Sequence, residues 1–208
     1  IMPRLVGSEM CIRDSSYKYL NSGPGAVSGV FINERHVMDE SGRGNSIRRL
    51  EGWWGHDEES RFKMSPEFHP MPSAEAWQMS NAPIMNMAVH KVALDLFLEA
   101  GMTSLLERSR RLTAYLETVV HLVAERTATN LEILTPVDPT SRGCQLSVVA
   151  HGYGRTLFDH LTAQGVVVDW REPAVIRMAP VPLYNTFEDV VRFGQVLEAG
   201  LGEVAAKA

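Results

Sequence analysis

Cysteine is nearly absent from this 208-residue sequence, in which only Cys11 and Cys144 occur. Two cysteines in unlike surroundings do not make a disulfide framework, and neither belongs to a CxxC pair that would bind zinc. Long apolar runs are also missing, since no stretch approaches the roughly 20 residues that span a bilayer. The start shows no secretion-signal pattern. These absences predict a cytoplasmic protein that does not contact a membrane.

Basic residues are also not in excess, since the sequence has 20 Lys and Arg and 25 Asp and Glu, which gives a net charge of −5. Nucleic-acid surfaces need clustered positive charge, so this balance argues against a nucleic-acid partner. No metal site is expected, because His56 beside Asp57-Glu58-Glu59 lacks both i, i+4 ligand spacing and a second histidine. With 45% hydrophobic residues, the chain has material for one large core or two small ones.

Helices and strands are both expected from the hydrophobic periodicity. The predicted elements of the first part are a buried strand over 26–33 and a helix from Pro83 to near Gly101, buried on most sides. A second helix is expected from Thr103 or Ser104 to about Arg126, with an apolar stripe of Leu105, Leu112, Leu116, Val119 and Val123. Strands over 131–134, 144–150, 166–170 and 174–178 and a helix over 156–164 should follow, then a final helix that begins at a Thr186-x-x-Asp189 capping box.

Residues 1–14 show no convincing periodicity of either kind. We expect them to be an artefactual leader that takes no part in the fold. The alternative is a genuine short strand around Leu5-Val6. A domain boundary is expected near residue 102, between the two predicted helices.

Lys18 stands between Tyr17 and Tyr19, just ahead of a turn built from Asn, Gly and Pro over 21–25. A partly desolvated lysine amine loses its proton near neutral pH and forms a Schiff base with a carbonyl or with pyridoxal phosphate. Most lysines are solvated, so this pattern by itself favours an ordinary surface lysine. Tyr17 alone is likewise typical of a core tyrosine.

Two other features have two interpretations each. Trp53 and Trp54 lie between Gly52 and Gly55, where core packing and ligand contact are equally good explanations. Arg177 shares one face of a predicted strand with apolar neighbours and therefore needs an anion. Taken alone, it favours a structural salt bridge over a ligand contact.

Six motifs, in order, give the chain a specific resemblance. They are Ser16-Tyr17-Lys18-Tyr19-Leu20-Asn21, Gly52-Trp53-Trp54-Gly55-His56, Arg61-Phe62-Lys63-Met64, Ser80-Asn81-Ala82-Pro83-Ile84, Arg142-Gly143-Cys144-Gln145-Leu146 and Ile176-Arg177-Met178-Ala179-Pro180-Val181-Pro182-Leu183-Tyr184-Asn185. Together they resemble the kynureninase family, which consists of pyridoxal-phosphate enzymes with the aspartate-aminotransferase fold. The resemblance runs from about Ser16 to the last residue and covers the C-terminal half of the family's sequence.

The resemblance implies an α/β fold class, namely the C-terminal part of a fold type I pyridoxal-phosphate subunit whose N-terminal half is missing here. Residues 15–102 would then end the large cofactor-binding domain. Residues 103–208 would form the linking helix and a small C-terminal α+β domain.

The resemblance also assigns roles to residues. Lys18 is implied to hold the cofactor and to move protons at the substrate, while Tyr17 contacts the cofactor phosphate and takes part in proton transfer. Trp53 is implied to lie beside the phosphate, and Asn81 to contact both cofactor and substrate. Ser80 and His56 are implied to lie near the substrate's aromatic end, and Arg177 to bind its α-carboxylate. Ala82 departs from the family's commoner proline.

The implied reaction is hydrolysis of kynurenine or 3-hydroxykynurenine to anthranilate or 3-hydroxyanthranilate plus alanine. This reaction belongs to tryptophan degradation and NAD biosynthesis, and the complete family member is expected to be a homodimer. A chain without the N-terminal half is expected to be inactive alone. Other fold type I enzymes, such as cysteine desulfurases or aminotransferases, and a non-catalytic fragment remain as alternatives.

Overall fold

The computed structural model describes residues 11–14, 16–37 and 48–205. The chain forms two compact units that divide between Glu99 and Ala100. Within the described ranges, no helix is long and apolar enough to cross a membrane.

The first unit contains a two-stranded antiparallel ribbon of β1 (Cys11–Asp14) and β2 (Gly29–Ile32). β1 belongs to the segment expected to be a leader, whose first ten residues lie outside the described part of the chain. The prediction that 26–33 form a buried strand is wrong, because only Ile32 in β2 is buried and the side chain of Val30 is 52% exposed. A ribbon of two strands has one layer, so most of its side chains stay in contact with solvent.

Short 3-10 turns at Glu34–His36, Trp53–Gly55 and Ala74–Trp77 mark the irregular middle of the first unit. The unit ends in α1 (Ile84–Ala100), close to the bounds predicted from Pro83 and Gly101. The prediction that this helix is buried on most sides is wrong, because only its residues Ala93 and Phe97 are buried. The described residues pack along one side of α1, where the rings of Tyr19 and Phe97 lie 6.0 Å apart.

The second unit is an antiparallel sheet with helices on one face. α2 (Met102–Thr127) leads into strands β3 (Leu131–Ile133) and β4 (Leu146–Ala150). Next come α3 (Gly154–Ala163), β5 (Asp169–Arg171), β6 (Val175–Met178) and α4 (Phe187–Ala205). The strand order is β3-β4-β6-β5, with every pair antiparallel. The predicted mixture of helices and strands is therefore confirmed.

Most local signals in the second unit are confirmed and two are corrected. The capping box is present, since the Thr186 amide donates to Asp189 Oδ2 at 2.8 Å and the Asp189 amide donates to Thr186 Oγ1 at 3.2 Å. The residue at the start of α2 is Gly101, not Thr103 or Ser104. The strand predicted over 166–170 begins only at Asp169, because pairing with β6 starts there and Val167 is 98% exposed.

The core of the second unit is formed where α2, α3 and α4 cover one face of the sheet. Its fully buried members are Leu112, Val120, Leu146, Leu157, Leu161 and Leu201. Val119, predicted to lie in the apolar stripe, is only partly buried and packs against α4. A Cβ atom added to Gly194 of α4 would lie 2.5 Å from Val119 Cγ1, so a glycine is required at this crossing of α2 and α4.

We expect Gly194→Ala to lower the free energy of unfolding by about 1–3 kcal/mol, because a β-branched side chain has little freedom to move away from the added methyl group. Gly202→Ala is the matched control in the same helix, since an added Cβ there meets nothing within 4 Å. That control should raise stability by about 0.5–1 kcal/mol through helix propensity. Urea unfolding followed by circular dichroism measures both, and equal effects would contradict the close packing of α2 on α4.

Candidate functional site

The turn that carries Lys18 is held at both ends. The Ser16 hydroxyl donates to the Val27 carbonyl, and the Asn21 amide donates to the Lys18 carbonyl at 3.1 Å. At its far end, the Asn86 side-chain amide of α1 donates to the Gly25 carbonyl. The position of the turn is therefore fixed against the start of α1.

The Lys18 side chain lies in solvent. Its Nζ is 5.4 Å from the centroid of the Tyr17 ring, and no carboxylate of the described residues forms an ion pair with it. The Tyr17 side chain is also exposed, and its hydroxyl has no hydrogen-bond partner within the described ranges. Partial desolvation of the amine, which the chemistry of a reactive lysine needs, is thus not provided by the described residues.

Two glycines place the paired tryptophans. A Cβ added to Gly52 would lie 2.1 Å from Met79 Cα, and one added to Gly55 would lie 2.6 Å from the Ala76 carbonyl oxygen. The backbone of this loop therefore lies directly against residues 76–79, and its large side chains point away. Trp53 is 58% exposed and meets Phe62 edge to face at 5.6 Å.

Arg61 stabilises the tryptophan loop, which consists of residues 52–56. The sequence did not assign a role to Arg61. Its side chain is only 7% exposed. Its Nη2 donates to the carbonyl of His56 at 3.0 Å and to that of Trp54 at 3.4 Å, and its guanidinium lies 4.9 Å from the Trp54 ring centroid. Arg61 begins one of the six motifs, but neither that motif nor the position of a cation a few residues after two adjacent tryptophans is specific enough to predict these contacts.

His56 is half-buried within a small hydrogen-bonded group. Its Nε2 is 3.0 Å from the Ser60 hydroxyl, which donates to Asp57 Oδ1 at 3.0 Å. The ring also meets Phe68 edge to face at 5.5 Å. One ring nitrogen of His56 is therefore engaged within the loop, and a contact with a ligand would use the remainder of the ring.

Ser80 and Asn81 directly follow the residue against which Gly52 packs. Both are exposed, and the Ser80 carbonyl accepts a hydrogen bond from Gln78 Nε2 at 3.0 Å. The Asn81 side chain has no hydrogen-bond partner within the part of the chain that the structure describes. The segment 79–86 thus contacts the tryptophan loop at one end and the Lys18 turn at the other. It brings these predicted site residues into one unit.

Arg177 belongs to the second unit and is paired with a carboxylate. Its Nε donates to Asp169 Oδ2 at 2.6 Å, and its Nη2 donates to the same oxygen. Arg171 donates to that oxygen as well, at 2.9 Å. The hydrogen bond from Arg177 is the main cause that lowers the pKa of Asp169, and the charges of both arginines act in the same direction. The salt bridge that the residue pattern alone favoured is therefore present.

The mixed helices and antiparallel sheet are those of the C-terminal part of a fold type I pyridoxal-phosphate enzyme. Residues 105–197 match the family model described as the kynureninase C-terminal domain. The chain is 51% identical over 186 residues to a kynureninase of Christiangramia forsetii, which covers 89% of this chain and 43% of the relative. A kynureninase of Flavobacterium psychrophilum is 49% identical over 188 residues, covering 90% and 43%. One of Xanthomonas oryzae pv. oryzae is 51% identical over 185 residues, covering 87% and 42%.

The chain belongs to the kynureninase family. It spans less than half the length of these relatives and corresponds to their C-terminal part.

Replacing Arg61 with alanine should loosen the tryptophan loop, because two backbone carbonyls lose a charged donor. We expect amide exchange across residues 53–57 to become about tenfold faster or more, as local opening becomes easier. Lys63→Ala is the matched control, since this neighbouring cation is exposed. Hydrogen exchange read by mass spectrometry measures both variants, and an unchanged loop in Arg61→Ala would contradict the supporting role.

Proposed function

We propose that this chain is the C-terminal part of a hydrolase that cleaves kynurenine or 3-hydroxykynurenine to alanine and an anthranilate. The observation that carries the proposal is the segment 79–86, which connects the Lys18 turn and the tryptophan loop within one unit. Identity to named kynureninases supports this reaction over those of aminotransferases and cysteine desulfurases. Residues 15–102 would end the large domain, and residues 103–208 would form the linking helix and the small domain.

The donor set of the first unit fits pyridoxal phosphate. An aldehyde needs an amine, and phosphate oxygens need hydrogen-bond donors. Lys18 Nζ, the Tyr17 hydroxyl and Trp53 Nε1 each lack a hydrogen-bond partner among the described residues. When bound, the cofactor supplies an electron sink for the carbon beside the substrate's amine.

Each residue of the proposed site has a role that suits its chemistry. Lys18 would hold the cofactor through its aldehyde group and would carry protons to and from the reacting carbon. Tyr17 and Trp53 would donate hydrogen bonds to the phosphate, and Tyr17 would assist the proton transfer. Arg177 binds the substrate's α-carboxylate, which completes the contacts at the amino-acid end.

The aromatic end of the substrate is assigned to residues with exposed polar groups. Asn81 extends from the segment beside the tryptophan loop and contacts both cofactor and substrate, with Ser80 next to it. His56 adds a ring face and a partly engaged imidazole. A free amide at Asn81 suits the extra hydroxyl of 3-hydroxykynurenine, which favours that substrate.

The remaining parts of the proposal concern the whole protein. The enzyme acts as a cytoplasmic homodimer in tryptophan degradation and NAD biosynthesis. The present 208 residues bind the cofactor poorly by themselves, because only Tyr17 and Trp53 are assigned to the phosphate and no acid is assigned to the pyridine nitrogen, which needs an acidic partner.

The assignment of Lys18 is tested in a completed enzyme, defined as this chain joined to the N-terminal part of the Christiangramia forsetii kynureninase that precedes the aligned region. Borohydride reduction and peptide mass mapping should place the cofactor on Lys18. Lys18→Ala should abolish turnover of the completed enzyme. In the 208-residue chain, where the Lys18 side chain is exposed, the same substitution should change the free energy of unfolding by less than about 0.5 kcal/mol.

Lys91→Ala is the control for that experiment, because Lys91 is exposed and paired with Asp95 on α1. It should keep both turnover and the label on Lys18. A label on any other lysine would contradict the assignment. The 208-residue chain alone should show no saturable cofactor absorption band and no anthranilate from kynurenine; a stoichiometric band with turnover would refute poor binding by this chain.

Substrate preference is tested at Asn81. Asn81→Ala should lower kcat/KM for 3-hydroxykynurenine relative to kynurenine by about 3- to 10-fold, the range expected for one lost hydrogen bond. Asn130→Ala removes an exposed amide from the second unit and should leave the ratio unchanged. Steady-state kinetics of the completed enzyme with both substrates measure the effect. An unchanged ratio in Asn81→Ala would show that this amide does not contact the ring substituent.

A further inference from the structure

The outer face of the second unit's sheet carries a row of polar side chains. Arg177 of β6 is the register partner of Ser147 on β4 and of Asp169 on β5. The opposite face of the same strands holds Val148, Ile176 and Met178 in the core. Strand pairing therefore places a carboxylate directly beside the arginine, whatever else binds there.

The ion pair uses only one edge of the Arg177 guanidinium. An arginine has five N–H donors arranged in two forks, one made of Nε and Nη2 and the other of Nη1 and Nη2. Asp169 Oδ2 accepts from Nε and Nη2, so it occupies the first fork. Nη1 has no hydrogen-bond partner among the residues that the structure describes, and the side chain is 32% exposed.

Arg171 changes the charge of this group. It lies on β5 two residues from Asp169 and donates to the same carboxylate oxygen. Two guanidinium groups around one carboxylate leave a net positive charge. An incoming anion would therefore be attracted to the cluster despite the negative charge of Asp169.

We propose that Asp169 is a positioning residue, which holds the Nε/Nη2 fork of Arg177 so that the Nη1/Nη2 fork is presented to the substrate's α-carboxylate. This inference rests on the proposed function, in which Arg177 binds that carboxylate. A fixed guanidinium loses less rotamer freedom when the substrate arrives than a mobile one does. The alternative, in which Asp169 competes with the substrate for Arg177, predicts an effect of opposite sign.

The sign of the change in KM on substitution of Asp169 is measured in the completed enzyme. Asp169→Ala should raise KM for kynurenine by about tenfold, within the range for newly immobilising one long side chain, and should leave kcat within about twofold. The KM of Asp169→Asn should lie between those of the unsubstituted enzyme and Asp169→Ala, because the amide oxygen of asparagine still accepts a hydrogen bond from Arg177. A lower KM would show competition, and an unchanged KM with a lower melting temperature would show a merely structural ion pair; either result overturns the inference.

Two comparisons make the readout specific. Kynurenine carboxamide has no anionic group, so Asp169→Ala should barely change its KM. Glu132→Gln removes another carboxylate charge from the same sheet, one that lies 2.7 Å from His151 Nε2, and should leave KM for kynurenine unchanged. A shift of the same size for the carboxamide would contradict a role at the carboxylate.

Arg177→Gln separates the inference from the proposed function. If it leaves KM for kynurenine unchanged, Arg177 does not bind the carboxylate and the proposed role itself fails. If it raises KM but Asp169→Ala does not, only the positioning role fails.

A further measurement uses the 208-residue chain without any cofactor. The Arg177 Nε–H should exchange with solvent more slowly than that of Arg110, an exposed arginine, in nitrogen-15 NMR spectra. Asp169→Asn should accelerate the Arg177 signal. Equal exchange of the two arginines in the unsubstituted chain would overturn the inference independently of enzyme activity.

Discussion

The close approach of Gly52 to Met79 is the contact on which the candidate site of the first unit depends. No side chain fits between these backbones, so the two segments can lie in contact only because residue 52 has no Cβ atom. The contact determines where Trp53 extends and where Ser80 and Asn81 begin. Arg61 then fixes the same loop through its carbonyl oxygens, which adds directional hydrogen bonds to a steric constraint.

The second unit depends on a different constraint, the alternation of side chains along β6. Ile176 and Met178 are buried in the core. Because side chains alternate along a strand, Arg177 between them must lie on the outer face of the sheet. The register with β5 then determines its partner. One apolar pattern thus creates both the core of the unit and the cationic group on its surface.

The sequence predicted the second unit better than the first. The long helix, the capping box and the strand around Arg177 follow local rules that need only a few neighbouring residues. Burial in the first unit was predicted incorrectly, because apolar content was taken to mean a covered surface. Val30 and Ile84 show that apolar residues become buried only where another layer packs on them, and periodicity does not report that layer.

The candidate site was predictable in its residues but not in its contacts. Motif order indicated Lys18, Trp53, Asn81 and Arg177, whereas the role of Arg61 and the partner of Arg177 depend on side chains brought together by folding. Asp169 and Arg177 are eight residues apart, and a one-residue change in the register of β5 and β6 would separate them. Such pairings are decided by the tertiary structure.

The exposure of Lys18 links the structure to the limits of the proposed chemistry. A lysine acts as a nucleophile only when its amine is uncharged, and water stabilises the charged form. The described residues fix the backbone of the Lys18 turn but leave its side chain in solvent, so they provide position without desolvation. The helix α1 is in the same situation, because its position is defined but most of its apolar side chains are exposed. A helix that is apolar on most sides is ordinarily buried in a larger protein. Because the relatives are more than twice as long as the aligned region, position and desolvation are best understood as contributions of different parts of such a protein.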